Sequence, residues 1–234
     1  APGDSEIDPF WRQVIAANVE TLVIVAAAVN PPFRPGLVDR FLIVAQQGGV
    51  VPLLCVNKID LVDQEPEAVT LYRELGLEVC ITSCETGEGL DDLRTHIAGR
   101  TSVLAGHSGV GKSSILNRLD PNLRILTRRL SETTNKGRHA TTAAVLYELQ
   151  DNIRIIDTPG IRALELWDVT PDEVSLYFPE MAALSTGCKF RNCTHIHEEE
   201  CAVKAAVASG DVARLRYESY KRIRAGLETG NTRA

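Results

Sequence analysis

The chain of 234 residues has no surplus of positive charge: 31 acidic residues against 25 Lys and Arg leave a net charge of -6. That excludes a protein that coats nucleic acid through bulk charge, because such binding depends on many basic side chains neutralising phosphates. Any RNA contact has to be local. A long apolar run is also missing; the longest, residues 22–29, falls far short of the ~20 residues that a membrane-spanning helix needs. The opening residues, APGDSEIDPFW, are acidic and offer neither a basic n-region nor an apolar h-region, which argues against a secretory leader and for a cytosolic protein. No internal repeat or low-complexity segment occurs. What is present is a 44% apolar composition, enough for the core of one large α/β domain with a small appendage.

Residues 21–29, 51–56, 77–83 and 101–106 are short, mostly apolar runs, each separated from the next by a helix-length segment. That rhythm predicts a parallel sheet buried on both faces, with helices over residues 37–47, 65–75, 90–99 and 112–119. Residues 143–149 and 152–157 read as an antiparallel hairpin at the sheet edge. Beyond Asp168 the pattern changes: Pro171 and Pro179 punctuate short helices, a cysteine cluster follows, and residues 202–208 and 212–227 read as helices. The expected fold is α/β, a mostly parallel sheet with helices on both faces over residues 1–168, followed by a small helical domain over residues 169–234. Ligands in such a sheet bind at the carboxyl ends of the strands.

Gly106, Gly111, Lys112 and Ser113 satisfy the phosphate-loop spacing G-x-x-x-x-G-K-[ST], after an apolar strand and at the start of a helix. Residues Gly106, His107, Ser108, Gly109, Val110, Gly111, Lys112, Ser113 and Ser114 are therefore expected to cradle phosphates. Backbone N–H groups turn inward, Lys112 reaches the β and γ phosphates, and Ser113 ligates magnesium. This motif does not choose the base. Guanine needs a carboxylate facing its N1–H and exocyclic amine, and the tetrapeptide Asn57-Lys58-Ile59-Asp60 after the second strand supplies one in Asp60, with Asn57 as a second polar contact and the Lys58 stem as a platform. One βα unit later, Ser83 and Cys84 resemble the loop whose backbone N–H faces guanine O6. Asp157 and Gly160, in IIDTPG after the last hairpin strand, fit a second switch in which Asp157 holds magnesium through water and the Gly160 N–H senses the γ-phosphate.

Ile161 stands where a Ras-like protein would offer a water-orienting Gln, so slow intrinsic turnover is expected. The polar loop of residues 127–142 has room for a first switch. Thr141 or Thr142 could serve magnesium. His139 is the nearest side chain able to position or deprotonate water, and reads equally well as a surface residue or an RNA contact. Arg124, Arg128, Arg129, Lys136 and Arg138 form a local basic group, either a phosphate-backbone footprint or an ordinary solvated loop.

Six cysteines in a reducing compartment read as thiols or metal ligands. Cys55, Cys80 and Cys84 are scattered. Cys188-x4-Cys193-x-His195-x5-Cys201 offers three thiolates and an imidazole, a closed tetrahedral set for structural zinc, with His197 as the competing imidazole.

The base loops precede the phosphate loop, a cyclic rotation of the usual order. This order, with NKID, GHSGVGKS, GRHATT, DTPGIR, IAANVETLVIVAAAV and CKFRNCTHIHEEECAV, resembles the small ribosomal subunit-dependent GTPases of the RsgA/YjeQ family, from about Ile15 to the carboxyl end. The resemblance implies a circularly permuted P-loop GTPase with a zinc-binding domain. It also implies GTP and Mg2+ at the phosphate loop, one structural Zn2+, catalytic roles for Lys112, His139 and Gly160, and the small ribosomal subunit as partner of a cytoplasmic, monomeric factor. Ala140 departs from the family's run of threonines after G-R-H. The amino-terminal OB-fold usual in the family is not expected in this chain, since only about fourteen residues precede the resemblance. The competing expectations are a GTP-locked RNA-binding module with incidental hydrolysis, and an adenine-using kinase that Asp60 disfavours.

Overall fold

The computed structural model describes residues 18–123, 145–157, 166 and 169–229. Strands β1 (Thr21–Ala27), β2 (Val51–Asn57), β3 (Glu78–Ile81), β4 (Thr101–Ala105), β5 (Val145–Glu148) and β6 (Arg154–Asp157) form one sheet in the order β3-β2-β1-β4-β6-β5. All neighbours are parallel except β5 and β6. The hairpin therefore sits at the edge, as its sequence predicts. Asp151 and Asn152, at φ 59° and 54°, both take the left-handed conformation that a tight type I′ turn demands.

Strand side chains alternate between faces, and β1 shows why its run from Leu22 to Ala27 is apolar. Val23, Val25 and Ala27 pack with Leu93 and Ile97 of α3 (Leu90–Ile97) and Ile115 and Leu116 of α4 (Lys112–Leu119). Leu22, Ile24 and Ala26 pack on the other face with Val38 and Phe41 of α1 (Pro35–Gly48) and Val69 and Tyr72 of α2 (Ala68–Glu74). A central strand covered by helices on both sides has no polar face to show. Pro35 opens α1 with a φ already fixed for a helix, and Gly49 in the left-handed conformation ends it, its N–H reaching the carbonyls of Ala45 and Gln46.

Most element boundaries differ by one to three residues from the sequence-based expectation, and two have a clear physical reason. The helix expected from residue 65 begins at Ala68, because Pro66 occupies the turn before it and gives its carbonyl to the Val69 N–H. Strand β3 is four residues long, since at the sheet edge it pairs only with β2, over Leu53 to Val56. No helix among the described residues is long and apolar enough to cross a membrane.

A third apolar cluster joins Leu166, Val169, Val174 and Phe178 to α5 (Pro179–Ser185), α6 (Ala202–Ser209) and α7 (Arg214–Glu228), and it includes Ile43 from α1. Polar groups cross the same junction. The Arg216 guanidinium on α7 lies 2.5 Å from the Asp39 carboxylate on α1 and 2.7 Å from Glu180 on α5, and stacks 4.3 Å over the Phe178 ring. Asp39 is wholly buried, and burial raises its carboxyl above the usual carboxylate range even with the Arg216 charge opposing. The dependence is one-sided: removing Arg216 would leave the Asp39 carboxylate in an apolar wall without its ion-pair partner, whereas removing Asp39 leaves Arg216 paired with Glu180.

Candidate functional site

Both base loops and the phosphate loop leave the carboxyl ends of parallel strands. From β2 the chain enters Lys58 and a 3-10 turn, Ile59–Leu61; from β3 it enters Thr82 and Ser83; from β4 it enters Gly106 and, after the phosphate loop, α4. Sheet order therefore restores the spatial neighbourhood that chain order scrambles.

Asn57 ties these loops together. It is 1% exposed; its Nδ2 donates to the Val110 carbonyl at 2.9 Å, and its Oδ1 accepts from the Cys84 N–H at 3.3 Å and the Thr82 hydroxyl at 3.4 Å. The phosphate loop comes so close that a Cβ on Gly111, at φ 107°, would stand 2.2 Å from Asn57 Nδ2. Gly106 is pressed in the same way: a Cβ there would meet the Val25 carbonyl of β1 at 2.1 Å. Replacing Asn57 by alanine orphans a buried carbonyl and an N–H, so we expect a loss of ~1–3 kcal/mol in chemical unfolding of the nucleotide-free protein. An unchanged unfolding midpoint would show that the tie carries no weight.

Lys58 sits at φ 66°, and its ammonium donates to the Asn30 carbonyl; burial lowers its pKa below the ordinary lysine value. Asp60 is exposed, and its carboxylate accepts the Ser83 hydroxyl at 2.5 Å. That hydroxyl oxygen in turn accepts the N–H groups of Glu85 at 3.2 Å and Thr86 at 3.1 Å, so the second base loop aims the carboxylate of the first. From α4, Arg118 donates to the carbonyls of Cys84 at 2.5 Å and Glu85 at 2.6 Å, fastening the phosphate-loop helix to the same turn. Burial pushes the Cys84 thiol up to about 11 and the Cys55 thiol up to about 12, which keeps both neutral at physiological pH.

Lys112 opens α4, and its amine donates to the carbonyls of Gly106 at 2.7 Å and His107 at 3.0 Å. The ring Nδ1 of His107 lies 2.9 Å from the Ser108 carbonyl. Ser113 and Ser114 follow in the first turn of α4, and Asp157 ends β6 opposite Val145. His139, Thr141, Thr142, Gly160 and Ile161 lie outside the described residues, as do Arg124, Arg128, Arg129, Lys136 and Arg138. The sequence reading passed over Thr82, Arg118 and Asn30. Their partners lie 25 to 34 residues away, beyond the reach of any local pattern.

Cys188, Cys193, His195 and Cys201 converge, with all ligand atoms within 4.8 Å of one another. His195 Nδ1 is 3.3 Å from Cys201 Sγ and 3.6 Å from Cys188 Sγ, and the two sulfurs are 3.9 Å apart. A tetrahedron with bonds of about 2.0–2.3 Å has edges of roughly 3.5–3.8 Å, so these donors fit a zinc-sized ion. His197 is not part of this group. The ring's outer nitrogen, Nε2, has the Ser185 hydroxyl at 3.3 Å, the kind of second partner that orients a ligating imidazole. Cys201 also caps α6, its sulfur accepting the Lys204 N–H, while the hydroxyls of Tyr217 and Tyr220 on α7 donate to the carbonyls of His195 and Thr194, each at 2.6 Å.

Comparison with known proteins bears on both halves. The family model "RsgA GTPase" matches residues 4–167. The Small ribosomal subunit biogenesis GTPase RsgA of Geobacillus thermodenitrificans is 44% identical over 209 residues, covering 87% of this chain and 71% of the relative. The protein of the same name from Gemmatimonas aurantiaca is 41% identical over 92% of this chain and 71% of its own. Among solved structures, YjeQ from Thermotoga maritima matches with a TM-score of 0.73 at 33% identity, over 90% of this chain and 72% of its own. YloQ, described as a circularly permuted GTPase, matches with a TM-score of 0.71 at 32% identity, over 93% of this chain and 71% of its own. With the base loops, phosphate loop and sheet order in the arrangement described, the chain belongs to the RsgA GTPase family.

Proposed function

We propose that this protein binds and hydrolyses GTP as a cytosolic factor in biogenesis of the small ribosomal subunit, the role its relatives' names carry. The observation that carries the nucleotide assignment is the Asn57 amide, which draws the phosphate loop and both base loops onto one edge of the sheet despite their rotated order. Residues 1–168 form the GTPase unit and residues 169–234 the zinc-bearing unit. Gly106 to Ser114 cradle the phosphates through backbone N–H groups and the amino end of α4. Lys112 exchanges its carbonyl partners for the β and γ phosphate oxygens. Asp60 accepts the guanine N1–H and exocyclic amine, already aimed by Ser83, while the Lys58 stem lies under the ring and the Cys84 backbone faces O6.

Ser113, Asp157 and Thr141 or Thr142 would hold magnesium, which neutralises phosphate charge when bound. Gly160 reports the γ-phosphate, and His139 is the candidate for orienting water. Intrinsic hydrolysis is slow, because Ile161 cannot place water, and contact with the small subunit accelerates it. The Cys3His cluster would hold zinc as a structural ion, with four protein donors and no position left for chemistry.

The test is nucleotide affinity of Asp60→Asn. Losing charge-assisted hydrogen bonds worth ~1.5–3 kcal/mol weakens GDP binding roughly ten- to a hundredfold and moves preference toward xanthosine diphosphate, whose extra ring carbonyl the new amide can satisfy. Equal GDP affinity in variant and wild type would remove Asp60 from the ring. GTPase rates with and without purified small subunits test the partner, and a rate indifferent to subunits would refute it.

A further inference from the structure

A second group of metal-ligating side chains lies apart from the cysteine cluster, where β3 faces α3. Cys80 on β3 is fully buried, and its Sγ is 3.6 Å from His96 Nδ1 on α3. The Asp92 carboxylate, one helical turn before His96, lies 3.5 Å from the same Nδ1, and the three ligand atoms fall within 4.8 Å of one another. These separations match the edges of roughly 3.5–3.8 Å set by a zinc-sized ion with thiolate and imidazole ligands. The outer ring nitrogen, His96 Nε2, points to the Glu78 carboxylate at 3.6 Å, and Glu78 stands two residues before Cys80 on the same strand. A ligating imidazole commonly donates its other N–H to such a carboxylate, which fixes its tautomer and strengthens it as a ligand.

We propose that Cys80, Asp92 and His96 bind a borderline-soft divalent cation of the zinc class, with Glu78 orienting the imidazole. The spacing arises without local distortion: i and i+4 on a helix share a face, as do i and i+2 on a strand. His96 Nδ1 is 2.9 Å from the Asp92 carbonyl, an oxygen that can only accept, so this contact calls for the proton on Nδ1. Binding releases the Cys80 thiol proton to solvent and moves the ring proton to Nε2, which keeps it and donates it as a hydrogen bond to the Glu78 carboxylate. Three protein donors leave a fourth corner on the exposed Asp92 side for water. The donors flank residues 82–89, the stretch between β3 and α3 that forms the second base loop, so the ion would join the two stems of that loop.

Cobalt(II) added to protein already holding one zinc per chain is the test. We expect a second equivalent to bind, with thiolate-to-cobalt charge-transfer absorption, while the zinc content stays at one. Cys80→Ala should abolish the absorption and Cys84→Ala should leave it intact. Glu78→Gln should weaken binding about 10–100-fold, the usual effect of losing an outer partner. If Cys80→Ala does not fold, His96→Gln, altered at a partly exposed position, should likewise eliminate the second equivalent. Absence of a second equivalent at micromolar cobalt, or uptake indifferent to Cys80 and His96, would overturn the proposal.

Discussion

Lys112→Ala is expected to lower GTP turnover in the presence of small subunits by about 10²–10³, the usual effect of deleting one donor aimed at developing negative charge. The amine now donates to the Gly106 and His107 carbonyls, both on the phosphate loop itself, so its loss leaves acceptors that water can serve. Thermal stability of the nucleotide-free protein should change little, which separates a catalytic loss from an unfolded one. Lys112→Arg should not rescue the rate. A planar guanidinium is wider than an ammonium and cannot enter a loop held tight against β1 at Gly106 and against Asn57 at Gly111. Turnover within a few-fold of wild type in Lys112→Ala would mean that the phosphates lie elsewhere.

Removing metal from the Cys3His cluster should have the largest effect on stability. Structural zinc contributes roughly 10–16 kcal/mol of apparent binding free energy in small modules, more than the segment around residues 185–201 can gain from its own few apolar contacts. The cluster also organises what surrounds it. Cys201 caps α6, and the peptide carrying His195 is held to α7 by two tyrosine hydroxyls. Chelation or Cys201→Ser should therefore release one zinc per chain and lower helical circular dichroism through melting of α6 and loosening of α7. Guanine nucleotide affinity should shift far less, since the base and phosphate loops rest on the two sheet-face clusters. Full helicity in a verified zinc-free preparation would contradict a folding role for the ion.

Much of this architecture was readable from local pattern. Helix α4 begins at Lys112 and ends at Leu119, as its motif and apolar spacing predict, and the four parallel strands appear within a few residues of their apolar runs. Ligand spacing favours His195 over His197 as the imidazole of the cluster, and His195, at φ 59°, is the one whose ring lies beside the Cys188 and Cys201 sulfurs. What local pattern cannot carry is convergence between distant segments. The Asn57 amide spans 53 residues to reach Val110, and Arg118 reaches back 34 to Cys84. Nothing in the residues around an arginine on an amphipathic helix marks it as the one that grips a loop. The ion pair between Arg216 and Asp39 spans 177 residues.

That ion pair and its neighbour Ile43 have a mechanical consequence. Because an isoleucine of α1 completes the apolar cluster of the last three helices, the two halves share a wall rather than meet across a hinge. Any swing of the carboxyl-terminal helices must peel α7 from α1, breaking the Arg216–Asp39 ion pair and exposing the apolar wall around Ile43. A signal from the nucleotide edge thus has a stiff route through α1, alongside the covalent thread. A fragment cut at residue 169 would expose a socket shaped for the side chain it left behind.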